Sequence, residues 1–278
     1  MLTTDQADHF RTFGFAVLRG YLADRAAALR AEADAAIRDA YAASYDERVS
    51  DGISGHYLPM ASRLTPVSAS LVCDDPRLID AAEQLLGGPV IPECPEGVLY
   101  FAEAGWHTDD GIGVRGVKFA AYFDDLTADN GALRLLPGSH HPEQNARLAA
   151  YSRRRGRARD ETGFAAYQAN FPGYAAATSP GDVIAFDLRT WHASIGGRDR
   201  LAWNAVYLRC PRTHAERDRT LRYARDGFEQ AYRGFDTGRY PVWRDWLAGA
   251  PAHPRRAPVI ERMRRAGVLD LPGALEGW

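Results

Sequence analysis

The segment from Tyr100 to Asp110 reads YFAEAGWHTDD, an aromatic run that leads into a loop. In an extended chain successive side chains alternate between two faces, so His107 and Asp109 share one face and Thr108 takes the other. An imidazole and a carboxylate on one face can supply two ligands to a metal ion. The H-x-D pattern is also common by chance, and an exposed loop histidine beside a turn-forming aspartate would explain it equally well.

A third ligand is available from a distant segment. Residues 186–192 read FDLRTWH and end in His192. Two histidines and one carboxylate, with the other coordination positions open, form the facial triad of non-haem Fe(II) oxygenases. The sequence therefore predicts a metal site made by His107, Asp109 and His192, which would also be the catalytic residues.

Size and composition limit the class of protein. With 278 residues and 30.7 kDa, the chain is long enough for one large domain with its own core. A net charge of −2 gives no indication of a nucleic acid partner. The cysteines are few and widely spaced, without a C-x-x-C pair, which argues against a disulfide framework or a structural zinc site.

The sequence gives no sign of a membrane or export function. Residues 1–8 lack a basic region followed by an apolar one, so no signal peptide is predicted. No apolar run approaches membrane-spanning length. We therefore expect a cytoplasmic protein that acts on a small molecule, with no nucleic acid and no membrane partner; the sequence does not indicate the oligomeric state.

The order of elements predicts a mainly β fold with flanking helices. Helical patterns dominate the first third of the chain, with one short strand expected at Phe15 to Leu18. Short strands separated by Gly, Pro and Asn turns follow, at Val98 to Phe101, Val117 to Phe123, Ala132 to Leu136, Val183 to Phe186 and Leu201 to Leu208. Many short strands joined by tight turns favour a sandwich or a double-stranded jelly roll (a cupin-like double-stranded β-helix) over a βαβ fold.

We expect one domain over residues 1–278. It would comprise a helical N-terminal scaffold at 1–89, a jelly-roll core at 90–210 and a helical C-terminal extension at 211–278. An insertion at 142–178 interrupts the core and shows no strand pattern. Loops of this length inside a compact domain are often functional, so the insertion is a candidate lid.

Four motifs occur in order along most of the chain: WHTD at 106–109, YFDD at 122–125, NGALRLLPGSH at 130–140 and GDVIAFD at 181–187. Together they resemble the phytanoyl-CoA dioxygenase family of Fe(II)/2-oxoglutarate-dependent oxygenases. The resemblance implies a double-stranded β-helix that holds Fe(II) through His107, Asp109 and His192. It also implies 2-oxoglutarate, bound to the iron by its keto-acid end, and O₂ as cosubstrates. The carboxylate of Asp109 argues against the halogenating relatives, which leave that position vacant.

The remote carboxylate of 2-oxoglutarate needs a fixed cation, and an arginine suits it best. In the family this arginine usually lies about eleven residues after the distal histidine, where this chain has Trp203. Arg200 opens the strand Leu201 to Leu208, which contains Trp203, and is the predicted ligand, with Arg198 as the alternative. Asn204 would share the face of Arg200.

Other pocket positions follow from the same strand pattern. Many relatives carry a tryptophan where this chain has Ala120. Lys118 and Tyr122 would share its face and are further candidates for binding the cosubstrate. Side chains that merely fill the barrel, with the lysine ammonium reaching towards water, are the alternative interpretation.

By this resemblance the protein would oxidise a small molecule. Hydroxylation is the expected outcome, although relatives also desaturate, epoxidise, epimerise or cyclise, and bacterial specialised metabolism (natural product biosynthesis) is the expected setting. Two other hypotheses remain open. One is a metal-dependent hydrolase that activates water with the same three residues. The other is a jelly-roll binding protein without catalytic activity.

Overall fold

Two antiparallel sheets form the centre of the molecule in the computed structural model, which describes residues 1–47, 55–110, 113–155, 173–231 and 234–271. The larger sheet has the strand order β1-β9-β6-β11-β4-β2, and β3 also pairs with β11. Its strands are β1 (Phe15–Leu18), β2 (Gly55–Pro59), β3 (Val90–Pro92), β4 (Glu96–Tyr100), β6 (Gly116–Tyr122), β9 (Val183–Asp187) and β11 (Arg200–Arg209).

The smaller sheet has the order β5-β10-β7-β8. Its strands are β5 (Ala104–His107), β7 (Leu133–Leu135), β8 (Tyr174–Ala176) and β10 (His192–Ser194). Because the chain passes repeatedly between the two sheets, they enclose a common interior. The predicted mainly β jelly roll with flanking helices is confirmed, and each of the six predicted strands is present within two residues of its expected bounds.

Helices cover the outer face of the larger sheet. They are α1 (Thr4–Phe13), α2 (Ala26–Ala40), α3 (Pro66–Leu71), α4 (Pro76–Leu86), α7 (Arg244–Ala248) and α8 (Arg256–Ala266). Helix α6 (His214–Ala231) packs against α8, and α5 (Pro142–Arg155) lies elsewhere. Local sequence explains several of their ends. Thr3 and Gln6 form a capping box at the start of α1, and Asp75 caps α4. Gly87 ends α4 in the left-handed conformation that glycine adopts most readily.

Alternate side chains of β6 face opposite sides of the sheet, one side packed against the helices and the other facing the pocket. Val117, Phe119 and Ala121 belong to the core beneath the helices. Ala120 and Tyr122 face the interior between the sheets. This alternation is the two-residue period of a strand, and it makes the inner face of the larger sheet one wall of the pocket.

The structure differs from the expected layout at two places. The segment 1–89 contributes more than helices and the strand expected at Phe15 to Leu18, which is β1 and pairs with β9, because it also forms β2, which pairs with β4. The insertion at 142–178 was expected to lack strands, yet its end forms β8, which pairs with β7. Short edge strands such as these carry too few residues for a clear period-two pattern.

Helix α5, the first part of that insertion, packs behind the smaller sheet. Leu148 and Ala149 contact the apolar group formed by Trp106, Leu136, Trp191 and Ala193. This group lies on the face of the sheet away from the interior. Residues 156–172 lie outside the described part of the chain, so the lid expected in the insertion remains a prediction. No helix in the described ranges is long and apolar enough to span a membrane.

Candidate active site

The three predicted metal ligands meet at the inner face of the smaller sheet. His107 at the end of β5 and His192 at the start of β10 are cross-strand partners, with ring centroids 4.2 Å apart. Asp109 lies two residues beyond His107, where its N–H donates to the carbonyl of Leu188. Its Oδ1 lies 3.6 Å from His107 Nε2 and 3.4 Å from His192 Nε2. One ligand atom from each residue falls within 4.8 Å of the other two.

Backbone carbonyls orient both imidazoles. His107 Nδ1 lies 2.6 Å from the Gly105 oxygen, and His192 Nδ1 lies 2.9 Å from the Thr190 oxygen. With the proton on Nδ1, each ring donates to its carbonyl and directs the Nε2 lone pair towards Asp109. Desolvation by the surrounding protein, and then the neighbouring His192 ring, lower the pKa of His107 to about 4. Two imidazoles with Nε2 directed at the site and one carboxylate are a donor set that fits Fe(II).

Lys118 fixes the carboxylate of Asp109 from the other side. Its Nζ donates to Asp109 Oδ2 at 3.2 Å and lies 4.0 Å from Glu96 Oε1. Burial acts to raise the pKa of Asp109, but Lys118 and the two imidazoles hold it well below its usual range. Asp109 is therefore ionised, with Oδ1 facing the histidines and Oδ2 bound to the lysine. Lys118 contacts a proposed metal ligand, and its role in binding the cosubstrate remains a prediction.

Arg200 lies in the interior at the start of β11. It is 3% exposed. Its Nη1 donates to Ser194 Oγ and to the Gly131 carbonyl, and its Nη2 donates to the Ala102 carbonyl. Its Nε is buried and has no hydrogen-bond partner in the described part of the chain. Arg198, the alternative, is exposed, so Arg200 is the better candidate for an anion deep in the pocket.

Two glycines make room for this guanidinium. A Cβ on Gly131 would lie 2.9 Å from Arg200 Cδ, and a Cβ on Gly197 would lie 2.7 Å from both Cδ and Nε. Gly131 also has a φ of +100°, which few other residues tolerate. Position 131 of the NGALR motif therefore requires glycine in this chain, because the residue there both turns the backbone and leaves room for Arg200.

Tyr122 and Asn204 lie between Arg200 and Lys118. The hydroxyl of Tyr122 makes no hydrogen bond to the described residues, and the positive charges of both Arg200 and Lys118 act on it. The amide of Asn204 instead donates to Glu96 Oε1 at 3.1 Å and to the Tyr100 hydroxyl at 3.2 Å. Tyr122 thus has a free hydroxyl for a ligand, whereas the amide nitrogen of Asn204 is occupied with other protein groups.

Sequence reasoning missed several residues of this pocket. They are Ser194, Glu93, Glu96 and Tyr223. Ser194 could have been found, because it lies two residues after His192 and therefore on the same face of a strand. Glu93 and Glu96 reach the site through the pairing of distant strands, for which the sequence carries no local signal. Tyr223 reaches it through the docking of α6, where Gly227 is the one available sign of a close approach.

Known proteins with similar sequences include a hydroxylase and a dioxygenase. L-proline trans-4-hydroxylase of Streptomyces griseoviridis is 40% identical over 78 residues, which cover 24% of this chain and 29% of that protein. Ectoine dioxygenase of Bordetella bronchiseptica is 30% identical over 154 residues, or 50% of each protein. The chain thus spans half or less of the length of these curated relatives.

Solved structures share the fold. The crystal structure of EctD from S. alaskensis with 2-oxoglutarate and 5-hydroxyectoine matches with a TM-score of 0.54 and 26% identity, covering 75% of this chain and 77% of that one. The α-ketoglutarate-dependent carbocyclase SnoK from nogalamycin biosynthesis matches with a TM-score of 0.57 and 19% identity, covering 75% of this chain and 85% of that one. A family model for phytanoyl-CoA dioxygenase matches residues 10–198. With most of its length matched, this chain belongs to the phytanoyl-CoA dioxygenase family.

Proposed function

We propose that this protein is an Fe(II)/2-oxoglutarate-dependent dioxygenase that oxidises a small molecule. The convergence of His107, Asp109 and His192, with ligand atoms within 4.8 Å of one another, carries the proposal. Membership of the family supports it. No specific observation favours a hydrolase or a non-catalytic binding protein over this activity.

The protein's contribution to the metal is a fixed set of donors. His107, Asp109 and His192 would hold Fe(II), which together with 2-oxoglutarate and O₂ supplies the oxidising chemistry. The carbonyls of Gly105 and Thr190 keep each Nε2 directed at the site. Lys118 holds Asp109 ionised and in place. Such outer contacts reduce the rearrangement needed when the metal binds.

Arg200 would bind the remote carboxylate of 2-oxoglutarate. It belongs to the same buried interior as the triad, and Ser194, two residues from His192, is one of its hydrogen-bond partners. Its unpartnered Nε and the free hydroxyl of Tyr122 are donors available to an anion. Apolar side chains, among them Leu133 and Ile184, line the rest of this end and keep water out.

Hydroxylation of a small molecule in bacterial metabolism is the proposed outcome. The names of the relatives include a proline hydroxylase and an ectoine dioxygenase. Structural neighbours that share the fold include a carbocyclase and an epimerase from nogalamycin biosynthesis, so the fold also supports other oxidations. A cytoplasmic location stays a prediction from the sequence.

The test is spectroscopic. Anaerobic addition of Fe(II) and 2-oxoglutarate to the protein should give the weak visible charge-transfer band of the chelate. The variant His192→Ala should lose the band, and His214→Ala, an exposed histidine at the start of α6, should keep it. A wild-type protein without the band, or a His192→Ala variant that retains it, would contradict the proposal.

A further inference from the structure

A second group of polar side chains lies at the end of the pocket away from Arg200. Glu93 follows β3, and its N–H donates to the carbonyl of Val206, which pairs with Lys118 across β11 and β6. Glu93 and Lys118 thus occupy the same level of the larger sheet, about 10 Å apart across two strand spacings. Arg200 lies six residues from Val206 along β11, or about 20 Å. Glu93 therefore belongs to the opposite end of the interior.

Helix α6 closes this end with one face. Arg219, Tyr223 and Gly227 recur every fourth residue and so lie on one side of the helix. A Cβ on Gly113, in the loop after Asp109, would lie 3.7 Å from Arg219 Cδ. A Cβ on Gly227 would lie 2.8 Å from Glu93 Oε1. Glycine lowers the stability of a helix, and here it leaves space for the carboxylate of Glu93.

Neither the Glu93 carboxylate nor the Tyr223 hydroxyl has a partner among the residues that the structure describes. Within the described residues, Glu93 forms no hydrogen bond or ion pair through its carboxylate, and Tyr223 forms none through its hydroxyl. The neighbouring acids differ, since Asp109 binds Lys118 and Glu96 accepts from Asn204. Burial, and then the charge of Glu96, raise the pKa of Glu93 to about 8. Glu93 is partly buried, and a carboxylate that loses water contacts without gaining a protein partner is unfavourable unless a ligand supplies the missing charge.

We propose that the substrate carries a positively charged nitrogen, of the ammonium or amidinium class, which binds the carboxylate of Glu93 beside the hydroxyl of Tyr223. The proposal rests on the proposed function, because it assigns this end of the pocket to the substrate of the same metal site. Lys118 is shared between Asp109 and Glu96, and its charge offsets the burial of Glu93 only in part. Without a cation the raised pKa keeps Glu93 mostly protonated at neutral pH, whereas a cationic group stabilises its carboxylate with a charge-assisted hydrogen bond.

The experiment compares cations with neutral molecules of the same shape. Piperidinium with tetrahydropyran, and benzylammonium with benzyl alcohol, are titrated anaerobically into the protein loaded with Fe(II) and 2-oxoglutarate, and binding is followed by ligand NMR. At least one cation should bind about tenfold or more tightly than its neutral counterpart. Glu93→Gln should abolish this preference and Glu93→Asp should retain part of it. Glu261→Gln, an exposed acid on α8, should leave it unchanged.

Gly227→Ala tests the position of the carboxylate without changing its charge. Alanine favours the helix, so the fold is retained, while the new methyl group displaces Glu93 and should weaken the cation preference several-fold. Equal binding of both cations and their neutral counterparts to the wild type, or a preference that survives Glu93→Gln, would overturn the inference. The charge-transfer band is recorded in each sample. A missing band in the wild type contradicts the proposed function itself, whereas a normal band without cation preference contradicts only this inference.

Discussion

The two ends of the pocket differ in whether their polar side chains already have hydrogen-bond partners in the protein. At the Arg200 end, the guanidinium already donates to Ser194, Gly131 and Ala102. At the α6 end, the carboxylate of Glu93 and the hydroxyl of Tyr223 have no hydrogen-bond partner among the described residues. The first arrangement fixes the guanidinium where 2-oxoglutarate, the same cosubstrate in every turnover, is proposed to bind. The second leaves charge and hydrogen-bonding capacity open, as a group that binds substrate requires.

This difference predicts how each end responds to mutation. A partnered group contributes to both stability and binding, so its removal should reduce both. An unpartnered group contributes to binding alone, and its removal should leave stability unchanged or raise it, the usual relation between a binding site and the stability of its fold.

Asp109→Asn should have the largest effect. The change removes a charged metal ligand and leaves Lys118 without its closest ion-pair partner. We expect the affinity for Fe(II) to fall by more than about 100-fold, beyond the 10–100-fold typical of outer contacts. Metal titration followed by the charge-transfer band measures this. Asp218→Asn, an exposed acid on α6, is the control, and an Asp109→Asn variant with wild-type iron affinity would refute the ligand assignment.

Arg200→Gln and Arg198→Gln form a matched pair at the partnered end. Hydrogen bonds to charged groups contribute about 1.5–3 kcal/mol, so loss of the buried charge should weaken 2-oxoglutarate binding by about 10–100-fold. The exposed Arg198→Gln should bind as the wild type does. Titration of the band with 2-oxoglutarate distinguishes them. If the Arg198 variant were the weaker binder, the assignment would pass to that residue.

Ser194→Ala removes one partner of Arg200 without removing the charge. Ser194 Oγ also donates to the Gly131 carbonyl at 2.8 Å, so two buried groups lose a hydrogen bond. The free energy of unfolding should fall by about 1–3 kcal/mol, and 2-oxoglutarate affinity should fall a few-fold. Chemical denaturation measures the first quantity. Ser179→Ala, at an exposed turn, serves as the control; equal stability of the two variants would contradict the comparison.

Tyr223→Phe should have the smallest effect on stability. Because its hydroxyl makes no hydrogen bond to the described residues, the free energy of unfolding should change by less than about 0.5 kcal/mol. Tyr207→Phe is the matched control, since that hydroxyl donates to the Val72 carbonyl at 2.6 Å and its loss should be destabilising. A Tyr223→Phe variant that is as destabilised as Tyr207→Phe would show that the α6 end is also held by internal contacts.

Strand periodicity and motif spacing predicted much of the fold and of the metal site. His107 and Asp109 are two residues apart, so their common face followed from local geometry alone. His192 was assigned through the order of the motifs, and its cross-strand pairing with His107 agrees with that assignment. Arg200 was chosen despite its irregular spacing, and its burial supports the choice over Arg198.

The rest depends on contacts between distant segments. Glu93 enters the pocket because β3 pairs with the far end of β11, which nothing near residue 93 predicts. Tyr223 reaches it through the docking of α6, whose sequence is that of an ordinary polar helix. Gly227 was the available signal, since a glycine within a helix often marks a close approach by another group.

The strand β10 also fixes the distance between the proposed iron site and Arg200. His192 and Ser194 occupy one face of it, and two residues of extended chain measure about 6.7 Å. One marks the proposed iron site and the other touches the guanidinium proposed to receive the far carboxylate. Regular backbone pairing with β7 holds this interval constant. If both assignments hold, this fixed distance would select keto diacids by the number of carbons between their two acidic ends.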